Sequence, residues 1–228
     1  MFALAIDTSG DAAGLALGRE DVLIGELHFR HKMDLLRRLM PNVRSIVSDA
    51  GLRVSDVEDV VVSLGPGSFT GLRIGIATAK ALAYALKKPI AGVPTLDVMA
   101  QGIAPHTGFV CPMIHAKPGE VYTALFSSDG LNFQKDITEI AAPVSAVVER
   151  LSDAGAENVL FLGDGARRNW SMLQGMGDLA PAEHDFPRAS VLLRMGISRL
   201  QSGRADDVLA LTPLYVRRPT PELRLECK

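Results

Sequence analysis

The chain has 228 residues, with 24 lysines and arginines against 26 aspartates and glutamates and a formal net charge of −2. That balance excludes a global basic field able to draw in RNA unaided, and the length allows one large domain or two small lobes, either with a proper core. Two cysteines, Cys111 and Cys227, lie far apart without C-x-x-C spacing, which argues against a zinc site or a disulfide framework and suits a reducing cytosol.

The N-terminus runs directly into a strand pattern, without a basic leader or an 18-residue apolar stretch, so the expectation is a soluble cytoplasmic protein with no membrane contact. Residues 2–6 are apolar on both faces (Phe2, Leu4, Ile6 against Ala3, Ala5), as in a central strand. They end in the polar turn Asp7-Thr8-Ser9-Gly10-Asp11. Strands over 13–18 and 22–29 complete a meander, the third pointing Leu23, Leu27 and Phe29 inward and Glu26 and His28 outward. A helix over 32–50 carries a broad apolar stripe, interrupted by Pro41, which should kink it or mark its true first turn.

Strand 57–63 leads into Leu64-Gly65-Pro66-Gly67-Ser68-Phe69-Thr70-Gly71-Leu72-Arg73. Three glycines and a proline permit a tight backbone path, and Ser68 and Thr70 are candidate N-caps for the helix over 71–87. Such a turn can bind an anion at a helix N-terminus, or simply connect strand to helix; both readings stay open. The phosphate loop of nucleoside triphosphatases would need Lys-Ser/Thr where Leu72-Arg73 stands, and no acidic residue completes a dinucleotide fingerprint. In the helix, Gly71, Gly75, Ala79 and Ala83 recur every fourth residue, a ridge that another helix backbone could approach closely. Packing within the chain and a subunit interface both fit that ridge.

Strand 89–93, a short helix from Thr95 and a linker at 101–108 close the first unit. The order then repeats: strands 109–115, 120–127 and 131–138, helix 143–154, strand 158–162, Gly163-Asp164-Gly165 and helix 166–175. Two related α/β lobes follow from the repeated element order. Residues 176–187 read as loop, 188–203 as helix, and the end (Arg217, Arg218, Arg224, Lys228) is locally basic. No catalytic constellation is visible. The five histidines are scattered, Gly67-Ser68-Phe69-Thr70-Gly71 is not a nucleophile elbow, and no carboxylate pair divides into acid and base.

Gly-Pro-Gly-Ser-Phe-Thr-Gly-Leu-Arg-Ile-Gly over 65–75, Leu4-Ala5-Ile6-Asp7-Thr8-Ser9, Gly92-Val93-Pro94-Thr95-Leu96, Gly119-Glu120-Val121-Tyr122 and Pro213-Leu214-Tyr215-Val216-Arg217-Arg218-Pro219 resemble the TsaB (YeaZ) family over nearly the whole chain. His115-Ala116-Lys117-Pro118 departs from the Asp-Ala-Arg common in relatives. Catalytic relatives carry His-x-x-x-His after the third strand, where this chain reads His31-Lys32-Met33-Asp34-Leu35.

The resemblance implies a two-lobe actin-like ATPase fold (α/β, duplicated ribonuclease H-like) with a reduced second lobe. The lobes would be 1–103 and 104–228, the tail from about 205 packing back on the first. It implies a non-catalytic subunit of the machinery for tRNA threonylcarbamoyladenosine, binding the transferase TsaD together with TsaE and meeting tRNA only through the complex. Its helices would pair with TsaD, or with a second copy in isolation, through Leu36, Met40, Val43, Arg73, Gly75, Ile76, Ala79, Leu82 and Ala83. By analogy with nucleotide-binding actin-like proteins, Asp7, Thr8, Ser9, Gly10, Gly65, Gly67, Ser68, Thr70 and Gly71 are the candidate phosphate contacts, with Gly163-Asp164-Gly165 opposite. No metal and no cofactor of its own are expected, with ATP or ADP at the partner interface left open. The competing reading is a small nucleotide-dependent phosphotransferase or M22-like peptidase acting alone.

Overall fold

Strand β1 (Phe2–Asp7) is apolar on both faces because it runs through the middle of a five-stranded sheet. The structure, a computed structural model, describes residues 1–31 and 33–216; the basic end at 217–228 lies outside the described residues. After β1 come β2 (Ala12–Arg19), β3 (Val22–Arg30), α1 (Leu35–Asp49), β4 (Asp59–Gly65), α2 (Phe69–Leu86), β5 (Ile90–Pro94) and α3 (Thr95–Gln101). The second series is β6 (His106–Lys117), β7 (Glu120–Gly130), β8 (Phe133–Pro143), α4 (Val144–Asp153), β9 (Val159–Leu162), α5 (Asp164–Arg168), α6 (Trp170–Leu173) and β10 (Gly177–Leu179), and α7 (Ala189–Gln201) is the last helix among the described residues.

The first sheet has the order β3-β2-β1-β4-β5 and the second β8-β7-β6-β9-β10. In each, the three-strand meander is antiparallel and the last two strands add in parallel. The duplication inferred from element order is therefore a duplication of topology. The second copy is reduced: where α2 runs for 18 residues, its counterpart is two short helices of 5 and 4. β10, only three residues long, lies in a stretch expected to be loop.

Each unit has its own core. In the first, α1 and α2 cover one face of the sheet, placing Leu39, Val43, Ile76 and Ala79 against Leu4, Ile6, Leu15 and Val62. The opposite face, paved with Ala3, Ala5 and Ala16, takes Leu192, Leu193 and Ile197 of α7. In the second unit α4 and its neighbours pack Val147 and Leu151 against Met113, Leu125 and Phe161.

Two expectations are corrected here. Among the described residues, the first unit comprises 1–102 and 186–213 and the second 103–185 and 214–216. The chain thus returns to the first unit at Phe186 rather than near 205, and α7, read from sequence as part of the second lobe, belongs to the first. Its apolar stripe is cut to fit the alanine-paved face of β1 and β2, a match that periodicity alone does not reveal. Beyond it, the segment from 205 strands across the first sheet's edge, with the Asp206 carboxylate accepting from Gly92 N at 2.7 Å and Lys80 Nζ donating to the carbonyls of Leu209 and Leu211.

The second correction concerns β3. Leu23 is exposed while Phe29 is buried, although both were placed on the inner face. Leu17 pairs with Gly25 and Gly18 with Leu23, so Ile24 is the extra residue of a bulge. One inserted residue inverts the alternation beyond it.

Glu26, expected to point to solvent, instead caps α7. Its carboxylate accepts from Arg188 Nη2 at 2.6 Å, from Ser190 N at 3.0 Å and from Ser190 Oγ at 3.0 Å. Burial raises its pKa, but the guanidinium, the amide and the hydroxyl together outweigh burial and hold it below the ordinary carboxylate value. Replacing Glu26 with Ala leaves the first turn of α7 uncapped and should cost about 1–2 kcal/mol. Because the pKa is depressed in the folded state, that contribution is present above the ordinary value of 4.5 and fades as the pH falls through the folded value. Urea titrations of both proteins should therefore diverge at pH 7 and converge in acid. Equal stability of the two at pH 7 would refute the capping role.

Candidate functional site

The end of β1 and the glycine loop after β4 are neighbours because β1 and β4 are adjacent parallel strands. The structure brings Thr8 and Ser9 into direct contact with Gly67, Ser68 and Gly71. Ser68 N donates to Ser9 O at 2.7 Å, and Thr8 Oγ1 donates to Gly71 O at 2.8 Å. A Cβ on Gly67 would lie 2.2 Å from Ser9 O, one on Gly71 2.2 Å from Thr8 O, and one on Gly75 2.0 Å from Thr8 Oγ1. The glycines at i, i+4 and i+8 thus let the first turn of α2 lie against the chain's own first turn.

Ser68 caps α2, its Oγ accepting from Gly71 N at 3.2 Å. Thr70, the other candidate cap, is exposed and takes no part in the contact. Gly65 N donates to Thr95 Oγ1, tying the loop to α3. On the far side, His31 lies with its Nε2 3.1 Å from Gly10 O, so the histidine at the end of β3 tethers the turn. Thr95, Ser63 and His31 were not singled out from sequence as parts of this site. A lone serine in the apolar run Val60-Val61-Val62-Ser63 was the available signal.

Asp7 is fully buried. Burial pushes its pKa above the ordinary carboxylate value, further than the nearby hydroxyls of Ser63 and Ser9, the Ser9 amide and His28 draw it down. Ser9 N donates to Asp7 Oδ1 at 3.4 Å, but neither serine hydroxyl is aligned to bond the carboxylate: Asp7 Oδ2, Ser9 Oγ and Ser63 Oγ are buried with no hydrogen-bond partner. Two of the loop's backbone donors, Ser68 N and Gly71 N, are used within the chain, and the Asp7 carboxylate is fully buried. In the second unit, Asp164 accepts from His115 N at 3.0 Å and pairs with Arg168 at 3.4 Å, so its carboxylate is engaged as well.

The expected partner surface divides in two. Val43, Gly75, Ile76, Ala79 and Ala83 are buried in the first unit's own core, so the ridge of small residues serves internal packing. Ala79→Glu, an attractive interface probe from sequence, would instead bury an unpaired carboxylate at a position with 0% exposure and unfold the lobe. The outward side of α1 and α2 remains. Leu36, Met40, Arg73, Ile74, Ala77, Thr78, Ala81 and Leu82 line an open, mainly apolar groove of about 590 Å³. Leu36 is 73% exposed at its wall, and Arg73 stacks on the Phe69 ring at 3.9 Å. Contiguous apolar surface of this kind is what protein–protein contacts use.

The family model described as TsaD, tRNA N6-adenosine threonylcarbamoyltransferase, matches residues 32–192. The tRNA threonylcarbamoyladenosine biosynthesis protein TsaB of Bacillus subtilis is 33% identical, the match covering 98% of this chain and 97% of that protein. The chain belongs to the TsaB (YeaZ) family. TsaB of Escherichia coli is 32% identical over 94% of each chain. Among solved structures, a Pseudomonas aeruginosa protein described as similar to peptidase YeaZ superposes with a TM-score of 0.79 at 27% identity, over 95% of this chain and 99% of that one. The ethanolamine utilization protein EutJ from Carboxydothermus hydrogenoformans, at 9% identity, shares the fold with a TM-score of 0.54 over 86% of this chain and 90% of that one. The architecture of this TsaB-family chain is the two-lobe actin-like α/β fold.

Proposed function

We propose that this chain is a non-catalytic subunit of the tRNA threonylcarbamoyladenosine machinery, docking through the α1/α2 groove onto a TsaD-type transferase and working with TsaE. The single observation that carries the docking is the groove itself, an apolar surface between two helices whose inner faces are already satisfied by their own core. The family membership supports the pathway. The non-catalytic role is supported by the first turn, where the Asp7 carboxylate is fully buried, and by Leu35 standing where catalytic relatives carry the second histidine after His31. The chain then needs no nucleotide of its own, ATP or ADP entering with the partner subunits, and tRNA is met through the assembly. The setting is the cytoplasm; no helix among the described residues is long and apolar enough to cross a membrane.

Reconstitution tests this reading. TsaD, TsaE and the enzyme that makes threonylcarbamoyl-adenylate should modify tRNA only when this chain is added, and the chain alone should turn over neither nucleotide nor peptide. Product formed equally well without it would overturn the proposal. Saturable magnesium-nucleotide turnover by the chain alone would favour a phosphotransferase, and peptide cleavage an M22-like peptidase. For the groove, Leu36→Glu places a charge on a wall residue that is 73% exposed and takes no part in the core cluster. It should weaken TsaD binding at least about a hundredfold, the loss expected at an interface hot spot, with an unchanged circular dichroism spectrum.

A further inference from the structure

Among the described residues, five buried side-chain nitrogen or oxygen atoms have no hydrogen-bond partner, and three of the five share one place. Asp7 Oδ2, Ser9 Oγ and Ser63 Oγ gather where the ends of β1 and β4 lie side by side. Ile6 pairs with Val62, so Asp7 and Ser63 are the next residues on two adjacent parallel strands and leave the same face of the sheet. The other two atoms, His106 Nε2 and Arg199 Nε, belong to β6 and α7. Asp7 is 0% exposed and Ser9 and Ser63 are each 1% exposed, so bulk solvent does not reach any of the three. Both hydroxyls stand near enough to the carboxylate to draw its pKa down against the larger effect of burial. Direct bonds between them are nevertheless misaligned. Polar groups held close without a direct bond are the arrangement that a bridging water joins, and folded proteins rarely leave even one such group unsatisfied.

We propose that Asp7, Ser9 and Ser63 form a binding site for one internal water molecule, which accepts from the two hydroxyls and donates to Asp7 Oδ2. The coordination fits, since internal waters make about three hydrogen bonds to otherwise unsatisfied groups. A divalent cation fits less well. Mg2+ or Ca2+ takes about six or more oxygens, and the nearby carbonyls of Ser9 and Gly10 already accept from Ser68 N and from His31 Nε2. A water also serves either form of the acid. It donates to the carboxylate, and turned around it accepts from the carboxylic acid and donates to a hydroxyl oxygen. Its position gives it a structural task. Asp7 and Ser9 belong to the first turn, and Ser63 stands two residues before Gly65 at the root of the glycine loop. The water is thus a second link between turn and loop, beside the bond from Ser68 N to Ser9 O.

The test begins with crystals of the full chain, diffracting well enough to show ordered waters, with and without a manganese chloride soak. The expected result is density for one water within about 3.2 Å of Asp7 Oδ2, Ser9 Oγ and Ser63 Oγ, with no anomalous signal from manganese at that point. Direct bonds among the three side chains with no density between them would overturn the inference. So would a manganese peak at a metal–oxygen distance of about 2 Å, which would make the ligand a cation. Oxygen-17 magnetic relaxation dispersion reads the same site in solution, because it counts waters that stay bound longer than the protein takes to tumble. Ser63→Val is the variant to compare. Valine suits a central strand, and its added methyl group takes the place of the water while removing one of its partners. The dispersion amplitude should fall by one long-lived water relative to the parent, and an unchanged amplitude in a folded Ser63→Val would refute the site. Should that variant fail to fold, the parent crystal decides by itself.

Discussion

Gly71→Ala is expected to destabilise the first unit by about 3 kcal/mol, or roughly 6–12 °C in Tm for a chain of this size. Helix propensity pulls the other way, since alanine in the interior of a helix is favoured over glycine by about 1 kcal/mol. The clash decides. The new Cβ would lie 2.2 Å from Thr8 O, a backbone atom in a turn pinned by the bonds from Thr8 Oγ1 to Gly71 O and from Ser68 N to Ser9 O. Relief requires the helix and the turn to part by about an ångström, which strains a packed contact (about 1–3 kcal/mol) and breaks at least one of those bonds (about 1 kcal/mol).

Gly75 supplies the control. Its Cβ would meet the Thr8 side chain, Oγ1 at 2.0 Å and Cβ at 3.1 Å, rather than the backbone. Thr8→Ala should therefore rescue much of the loss in Gly75→Ala and little of the loss in Gly71→Ala. The measurement is urea unfolding of the two single glycine variants, Thr8→Ala and both double variants. A neutral Gly71→Ala would mean that the glycine run is kept for something other than this contact.

This contact shows where the sequence was readable and where it was not. Sheet order and duplication were legible because apolar runs of strand length, short polar turns and helical stripes occur twice in the same order. The two largest structural features of the site were legible only as composition. A ridge of Gly71, Gly75, Ala79 and Ala83 says that something approaches closely, and nothing in its spacing distinguishes a partner helix from the chain's own first turn. Five of the nine expected interface residues, Val43, Gly75, Ile76, Ala79 and Ala83, turned out to be core because the inner faces of α1 and α2 meet the sheet and each other there. The other four, Leu36, Met40, Arg73 and Leu82, line the outward groove. Its neighbours Ala77 and Ala81 were passed over, since exposed alanines carry no hydropathic signal against a helix that is apolar nearly all round. The Glu26 cap on α7 joins residues 162–164 positions apart, and the bulge at Ile24 leaves no composition cue; neither is accessible to a local pattern. Pro41 lies inside α1 rather than at its start, tolerated on the solvent side, where water can satisfy the carbonyl it leaves unpaired.

Asp7→Asn is expected to stabilise the protein at neutral pH by about 1–2 kcal/mol. A carboxylate whose pKa is raised by folding binds its proton more tightly in the native state than in the unfolded one. Stability is therefore highest in acid and falls as the pH rises from the ordinary value of 3.8 through the folded-state value. An amide at this position removes that loss, and its NH2 can donate to the buried Ser9 and Ser63 hydroxyl oxygens that now have no partner. The gain should be present at pH 7 and vanish below pH 3.8, which urea unfolding across pH would read directly. A destabilised Asn variant at pH 7 would mean that the charge is compensated by a group bound in solution, and the turn would then be a ligand site after all. The same variant added to the reconstituted modification reaction decides what the carboxylate is for. Full support by a more stable protein makes Asp7 dispensable to the present role. Lost support by a folded, stabilised protein makes it a functional group whose stability cost is retained for activity.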